Sequence, residues 1–408
     1  MRYAPFLLAN RRFLAFGFLL PFASAFGQTF FIGIFGGELR AEFALDNGEF
    51  GLIYSLATLA NAAAFLPLGR LIDRFDLRLY TSATCLAYTG ACLYMAFVPA
   101  VPVLLFVGFL LLRLTGQGLM SHIGVTAMGR HFDAGRGTAV SIASLGFPAA
   151  EAVFPPLGVA VMVAIGWRQT WLVIGIAVAV LLVPTALWLL RGHTARERER
   201  REALDEQAGQ DGSWLTAEVL RDPHFYRVLP AVLLTPFTVT GLFFHQAQLA
   251  AGKDWTLAWF ATTFIAYALA STLGTLATGP LIDRFGARRL LPFFLLPLGI
   301  GLAFLAAGRG DWIALAFMLG AGVTAGAGLT LLGALWAEMY GVVHLGSIRS
   351  VVWALVVVAS ALAPALFGYL LDAGVEVETI AGACLAAAAA ASALAGARRL
   401  PRRWAGGH

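Results

Sequence analysis

One short stretch, present twice, decides the fold of this chain. Gly69-Arg70-Leu71-Ile72-Asp73-Arg74-Phe75 recurs 210 residues later as Gly279-Pro280-Leu281-Ile282-Asp283-Arg284-Phe285. Beyond these stretches, Gly116 and Gly118 recur at the same spacing as Gly326 and Gly328. The sequence therefore contains an internal repeat of two parallel halves, as is typical of carriers that rock one helical bundle against another.

The composition places both halves in a lipid bilayer. Of the 408 residues, 59% are hydrophobic and only 12% are charged, and the mean hydropathy is +0.79. A soluble protein is roughly 25% charged, so a water-soluble enzyme of this length is excluded, as are disordered, collagen-like and disulfide-stabilised chains. Because the apolar runs are far longer than the ~10-residue alternating strands of a membrane β-barrel, we expect helices.

Twelve apolar runs follow the chain, each long enough or nearly long enough to cross ~30 Å of hydrocarbon as a helix. We predict an all-α polytopic membrane protein with twelve transmembrane helices in two six-helix bundles, residues 1–190 and 225–408, joined by a cytoplasmic linker at 191–224. The predicted spans are 13–36, 50–72, 79–98, 101–129, 137–165, 169–190, 228–250, 256–282, 290–307, 312–337, 347–371 and 378–397.

The distribution of basic residues predicts the orientation. If the N-terminus is cytoplasmic, 23 of the 28 Lys/Arg residues fall on the cytoplasmic side and four on the outer side. By the positive-inside rule, both termini then lie in the cytoplasm, and we expect an inner (cytoplasmic) membrane location. The three cysteines fall inside apolar runs without metal-ligand spacing, so we expect no metal and no cofactor. Because the placement of the basic residues is that of a membrane protein, we expect no nucleic-acid partner.

The two loop stretches and one helix motif resemble the signatures of the major facilitator superfamily. The stretches Gly69-x-x-x-Asp73-Arg74-x-x-x-Arg78 and Gly279-x-x-x-Asp283-Arg284-x-x-x-Arg288 lie in the two loops where that family carries its loop motif, and Arg113-x-x-Gly116-Gln117-Gly118 resembles its second signature. Within the family, Arg113 to Gly118 and the stretch from Tyr340 to Arg349 are most similar to the bacterial monocarboxylate and oxalate/formate-type branch.

The resemblance implies a carrier with a central cavity lined chiefly by helices 1, 4, 7 and 10. It also implies that the loop motifs form a cytoplasmic gate. Asp73 would face the start of helix 11 near Gly346-Ser347, and Asp283 would face the start of helix 5 near Gly137-Thr138. The basic gate residues would add ion pairs; they are Arg74, Arg78, Arg284 and Arg288.

Two buried charges are not copied by the repeat. Arg113 corresponds to Val323 and Glu151 corresponds to Ala361. Both charges fall near the middle of their predicted spans, where an ionisable residue points to function because it costs about 3 kcal/mol. An Arg113–Glu151 ion pair is geometrically plausible. It would either couple a proton to an anionic substrate or simply hold the first half together.

Several polar residues within the spans are further candidates for substrate contact or coupling. Each has an alternative as an ordinary interhelical hydrogen-bonding group or a wet helix end. They are Gln28, Asn61, Gln117, His122, His245 and Gln246, with Tyr267 and Thr324 as weaker candidates.

These observations predict a secondary active transporter of a small organic anion, such as a monocarboxylate, working by alternating access with proton coupling. A proton-linked multidrug or metabolite exporter, with Glu151 attracting cations, is an alternative. An integral-membrane enzyme or a carrier-like sensor is a third, but no catalytic motif supports an enzyme. The expected partners are a small-molecule substrate, protons and lipid, and we expect a monomer.

Overall fold

A computed structural model describes residues 3–132, 136–191, 216–341 and 345–396. Throughout these ranges the secondary structure is helical and contains no strand, which confirms the all-α fold. The long helices, numbered α1 to α12, span Tyr3–Ala23, Asn47–Gly69, Leu77–Phe97, Pro102–His131, Gly137–Ile165, Trp167–Leu189, Pro223–Phe244, Leu257–Phe285, Ala287–Ala307, Trp312–Tyr340, Leu345–Asp372 and Val377–Gly396.

Eleven helices within the described ranges are long and apolar enough to cross a membrane. The remaining long helix, α3, has the necessary 21 residues but carries more polar side chains, including Arg78, Thr81 and Thr84. The outer faces of the spans are apolar: on α8, Leu269, Leu273 and Leu276 are each more than 60% exposed. Because such faces are unfavourable in water, they indicate contact with lipid.

Local sequence signals set the starts of several helices. Asp46 and Glu49 form a reciprocal capping box at α2, in which the Asp46 carboxylate accepts from the Glu49 amide at 2.7 Å. Asp76 caps α3 by accepting from the amides of Arg78 and Leu79. Thr256 caps α8 through the Trp259 amide. These caps satisfy amides that have no partner within the helix.

The chain divides into two compact units, Met1–Gly209 and Gln210–His408. The first contains α1 to α6 and the second contains α7 to α12. The predicted linker at 191–224 falls largely outside the described residues, and its assignment as a cytoplasmic segment stays a prediction.

The first predicted span is not one continuous helix, so this part of the prediction is wrong. After α1 ends at Ala23, Ser24–Gly27 form a 3₁₀ turn, and Gln28 is extended, with φ −87° and ψ 152°. Short helical segments follow at Thr29–Ile32 and Gly36–Phe43. Gln28 is therefore extended, whereas Thr29 is helical. The break lies next to the buried Arg113, which is described below.

Glycines bring α4 against this break. A Cβ on Gly27 would lie 2.8 Å from the Gln117 amide nitrogen and 2.9 Å from the Gly116 Cα. Such distances are well below van der Waals contact, so only glycine allows the two backbones to approach this closely. Tyr88 of α3 packs against the same contact, because its ring lies beside Gly116. Its hydroxyl donates to the Ala23 carbonyl at 3.1 Å.

Candidate functional site

The first unit buries one arginine near the middle of a span. Arg113 lies about 17 Å along the 30-residue α4 and is 2% exposed. Its guanidinium donates to the Thr29 hydroxyl at 3.2 Å and to the Tyr54 hydroxyl. The Thr29 and Tyr54 hydroxyls are themselves 2.7 Å apart and share a hydrogen bond. Arg113, Thr29 and Tyr54, which we call the arginine cluster, thus join three separate segments.

The charge of the arginine cluster is not neutralised within the described part of the chain. No ion pair involves Arg113 there, and its Nε is buried without a hydrogen-bond partner. The Tyr54 ring supplies the nearest electron-rich surface, with its centroid 4.8 Å from the central guanidinium carbon. A buried cation held only by neutral hydroxyls and a ring face is electrostatically incomplete, and it favours the arrival of an anion.

The backbone around Arg113 is irregular on both sides of the arginine cluster. The helix changes from α to π geometry over Arg113–Met120, a form that is rare and frequent at functional sites. On the facing side, the extended Gln28 directly precedes Thr29, and its side-chain amide lies 3.4 Å from the Ser24 hydroxyl. The arginine cluster therefore forms where two helices both depart from regular geometry.

The ion pair between Arg113 and Glu151, which the sequence made plausible, is not found among the described residues. Glu151 is half-buried on α5, and no hydrogen bond or ion pair joins it to Arg113 within the described ranges. Helix α5 packs on the first-span region instead, with Phe154 4.7 Å from the Phe22 ring. Glu151 lies three residues before Phe154, on the same side of α5. The two unrepeated charges are thus separate features of one unit.

Three other candidates of the first unit lie along α2 and α4. Asn61 is 6% exposed, and its Oδ1 is buried without a hydrogen-bond partner in the described ranges. It lies 3.5 Å from where a Cβ of Gly118 would be. His122 Nδ1 is 3.2 Å from the Thr126 hydroxyl, and its ring meets Phe65 edge-on at 5.3 Å. Gln117 is half-buried.

In the second unit, His245 and Gln246 lie where α7 ends and the short helix Gln246–Gly252 begins. Both are buried, at 3% and 0% exposure, and His245 Nε2 is 2.7 Å from the Pro364 carbonyl of α11. The structure therefore places His245 in the packing between α7 and α11, and Gln246 is buried beside it. Their predicted role in substrate contact stays a prediction.

The repeated loop motifs differ in how their following helices are capped. In the second copy, Gly286 adopts φ +81°, which requires glycine, and the Glu338 carboxylate accepts from the amides of Ala287 at 2.8 Å and Arg288 at 3.3 Å. The Arg288 guanidinium also donates to the Glu338 carbonyl. In the first copy, Asp76 supplies the cap from within the loop. Sequence reasoning missed Glu338, which lies 50 residues from Arg288.

For the remaining gate residues, no ion pair is found within the described part of the structure. Asp283, Arg284, Arg74 and Arg78 are exposed, whereas Gly69 is buried and Gly279 is half-buried. The side chains of Asp73 and Ser347 lie outside the described part of the structure, as do the surroundings of Gly346. The gate contacts expected for the two aspartates therefore stay predictions.

A cavity of about 420 Å³ lies within the second unit. It is bounded by α7 to α11, and most of its lining is apolar. Tyr267 and Thr324, two of the weaker candidates, line it, whereas Thr235, Trp336 and Arg349 line it without having been predicted as site residues.

A comparison with known protein families gives a match. A sequence model of the family described as Major Facilitator Superfamily matches residues 17–265, more than half of the chain. The matched range includes α2 to α7 and both residues 113 and 151. No curated protein sequence matches the chain significantly.

Proposed function

Because the chain belongs to the Major Facilitator Superfamily, and is therefore a multi-pass membrane transporter, we propose that it carries a small organic anion by alternating access. One observation carries this proposal: Arg113 is buried, and no carboxylate neutralises it in the described part of the chain. A buried cation without a carboxylate partner attracts an anion to mid-span.

The energetics support an anion as the missing partner. A charged residue at the bilayer centre costs roughly 2.5–3.5 kcal/mol even on insertion scales. Thr29 and Tyr54 offset part of this cost through hydrogen bonds to the guanidinium. A substrate carboxylate would supply the opposite charge and a further acceptor for Nε, which has none in the described ranges. Charge-assisted bonds of this kind are roughly twice as strong as neutral ones.

The transport mechanism follows from the repeat. Two parallel halves with matched loop motifs are what alternation between two openings requires. The arginine distribution favours an inner-membrane location with both termini in the cytoplasm, and the chain would act as a monomer. The monocarboxylate and oxalate/formate-type branch remains our narrower assignment, because its substrates are carboxylates and would suit the arginine cluster.

Proton coupling is the second element of the proposal. Glu151 is half-buried in a span and has no cation paired with it in the described ranges. A carboxyl in this setting can exchange a proton with one face of the membrane while the substrate binds elsewhere in the same unit. Proton binding at Glu151 would then drive uptake or release of the anion.

Uptake into proteoliposomes tests the anion proposal. Purified protein is assayed with labelled acetate, lactate, benzoate and oxalate, and with cationic dyes, with and without a pH gradient. Arg113→Ala should abolish carboxylate uptake. Arg113→Lys should retain a small part, because it keeps the charge but not the planar fork. Arg221→Gln, which removes an exposed arginine, is the matched control and should leave uptake unchanged. Carboxylate uptake that survives in Arg113→Ala would contradict the proposal.

The same assay decides the alternative, a proton-linked exporter of cations. Unpaired Glu151 is the observation that favours it, because a half-buried carboxylate attracts cationic solutes. If dyes move and carboxylates do not, and if Glu151→Gln rather than Arg113→Ala stops the dyes, the exporter assignment replaces the anion carrier.

A further inference from the structure

The cavity of the second unit is apolar along most of its wall and carries a cation at one end. Among its described lining residues, Arg349 is the one that bears a charge. Along α10, the lining runs from Thr324 to Trp336, which corresponds to about 18 Å of helix. Since Arg349 lies near the start of α11 and Trp336 near the end of α10, both belong to the same end of the cavity.

The guanidinium of Arg349 lies beside Gly333 of α10. A Cβ on Gly333 would be 3.8 Å from Arg349 Nη2, so the guanidinium is next to a position without a side chain. The residue is exposed, and no ion pair of Arg349 is found within the described ranges. A carboxylate entering this end of the cavity would therefore meet an arginine that is accessible to it.

The threonines of the lining offer the cavity no accessible hydroxyl. Thr235 of α7 lines the cavity, but its Oγ1 is buried out of reach of solvent. Thr324 is fully buried, and its hydroxyl accepts from the Leu298 amide at 3.0 Å. A ligand in the cavity would therefore meet an apolar wall and the Arg349 guanidinium.

We propose that this cavity binds an aromatic monocarboxylate. Arg349 binds the carboxylate, and the apolar wall around Trp336 and Val352 packs against the ring. The volume suits such a ligand, since small-molecule cavities begin at about 300 Å³. The inference rests on the proposed function for the ligand to be cargo, but binding itself can be tested apart from transport.

A set of three ligands separates the charge contact from the ring contact. Calorimetry on the full chain in nanodiscs is done with 3-phenylpropionate, its amide, and propionate, which lacks the ring. 3-Phenylpropionate should bind about 10-fold or more tightly than its amide, because only the acid forms charge-assisted bonds, and more tightly than propionate, because its ring is buried.

Variants assign each difference to a residue. Arg349→Gln should remove the preference for acid over amide, and Arg349→Lys should restore part of it. Val352→Thr, which places a hydroxyl on the apolar wall, should lower the preference for 3-phenylpropionate over propionate. Thr235→Val, which removes a hydroxyl that is not accessible from the cavity, should change neither preference, and nor should Arg221→Gln. Melting curves of all variants confirm that they are folded.

The outcomes separate this inference from the proposed function. Equal affinity for acid and amide, or an Arg349→Gln variant that retains the full preference, overturns the inference even if Arg113-dependent carboxylate uptake is observed. If the binding preferences are found but no carboxylate is transported into proteoliposomes, the cavity assignment stands and the transport proposal fails.

Discussion

Arg113 lies against the aromatic ring of Tyr54 and donates a hydrogen bond to its hydroxyl. The central guanidinium carbon is 4.8 Å from the ring centroid, and the same hydroxyl lies 2.7 Å from Thr29. One tyrosine therefore stabilises a buried cation in two ways, through its ring face and through its oxygen. This relationship links α2 to α4 at the point where the charge would otherwise be most costly.

Removing only the Tyr54 hydroxyl should destabilise the protein more than a comparable change elsewhere. Tyr54→Phe keeps the ring but leaves a guanidinium donor without its acceptor, at a cost of about 1–3 kcal/mol. The control is Tyr94→Phe, which removes a hydroxyl that donates to the Leu104 carbonyl at 3.0 Å and serves no charged group. Thermal unfolding in one detergent compares the two. Equal losses of Tm would show that the charge adds nothing to the Tyr54 bond.

A substitution at Glu151 should separate proton coupling from substrate binding. Glu151→Gln removes the titratable group while keeping a similar size, so a pH gradient should no longer drive accumulation of the carboxylate. Exchange of labelled for unlabelled substrate across the membrane, which needs no net proton movement, should continue. Glu376→Gln, at an exposed loop position, should preserve both activities. Gradient-driven accumulation that persists in Glu151→Gln would falsify the coupling role.

The Asp222 carboxylate at the start of α7 should make the stability of the protein depend on pH. Burial raises the pKa of Asp222, but hydrogen bonds from the His224 backbone and side chain and from Tyr340 outweigh it, so the pKa lies below its ordinary value. The folded state therefore prefers the ionised carboxylate. Its contribution is complete above the unfolded pKa of about 3.9 and is lost as the pH falls through the lower folded value.

Asp222→Asn should therefore lower Tm near neutral pH, and the gap from wild type should narrow below about pH 4. Asparagine can still cap α7, so the difference reports the charge rather than the cap. Asp254→Asn, at an exposed position, serves as the control. Melting curves from pH 7 to pH 3.5 test this, and a gap that widens on acidification would have the wrong sign for a lowered pKa.

Much of the fold could be predicted from the sequence, because long apolar runs and their charged breaks are local signals. The repeat located both loop motifs, and the absence of a counterpart for Arg113 correctly marked it as unusual. The break after α1 was missed because neither Gln28 nor Thr29 disrupts a helix by itself. It depends on α4 approaching Gly27, which is a tertiary contact.

The partners of the candidate site were less predictable for the same reason. Thr29 and Tyr54 are unremarkable in an apolar run, although Tyr54, Thr58 and Asn61 at spacings of four and three residues indicate a polar stripe on α2. That stripe was the available signal. Nothing local connects Glu338 with the start of α9, or Arg349 with Gly333, because each contact depends on how separate helices pack.

The close contact between Gly27 and Gly116 should tolerate no added methyl group. Gly27→Ala would place a Cβ 2.9 Å from the Gly116 Cα and 2.8 Å from the Gln117 nitrogen. These are backbone atoms, so α4 must move, at a cost of about 1–3 kcal/mol or more, and Arg113 would shift from Thr29. Gly90→Ala on α3, where a Cβ meets nothing within 4 Å, should be neutral or slightly stabilising because alanine favours helix. Paired melting curves and carboxylate uptake test both variants. Full stability and uptake in Gly27→Ala would show that this contact does not position Arg113.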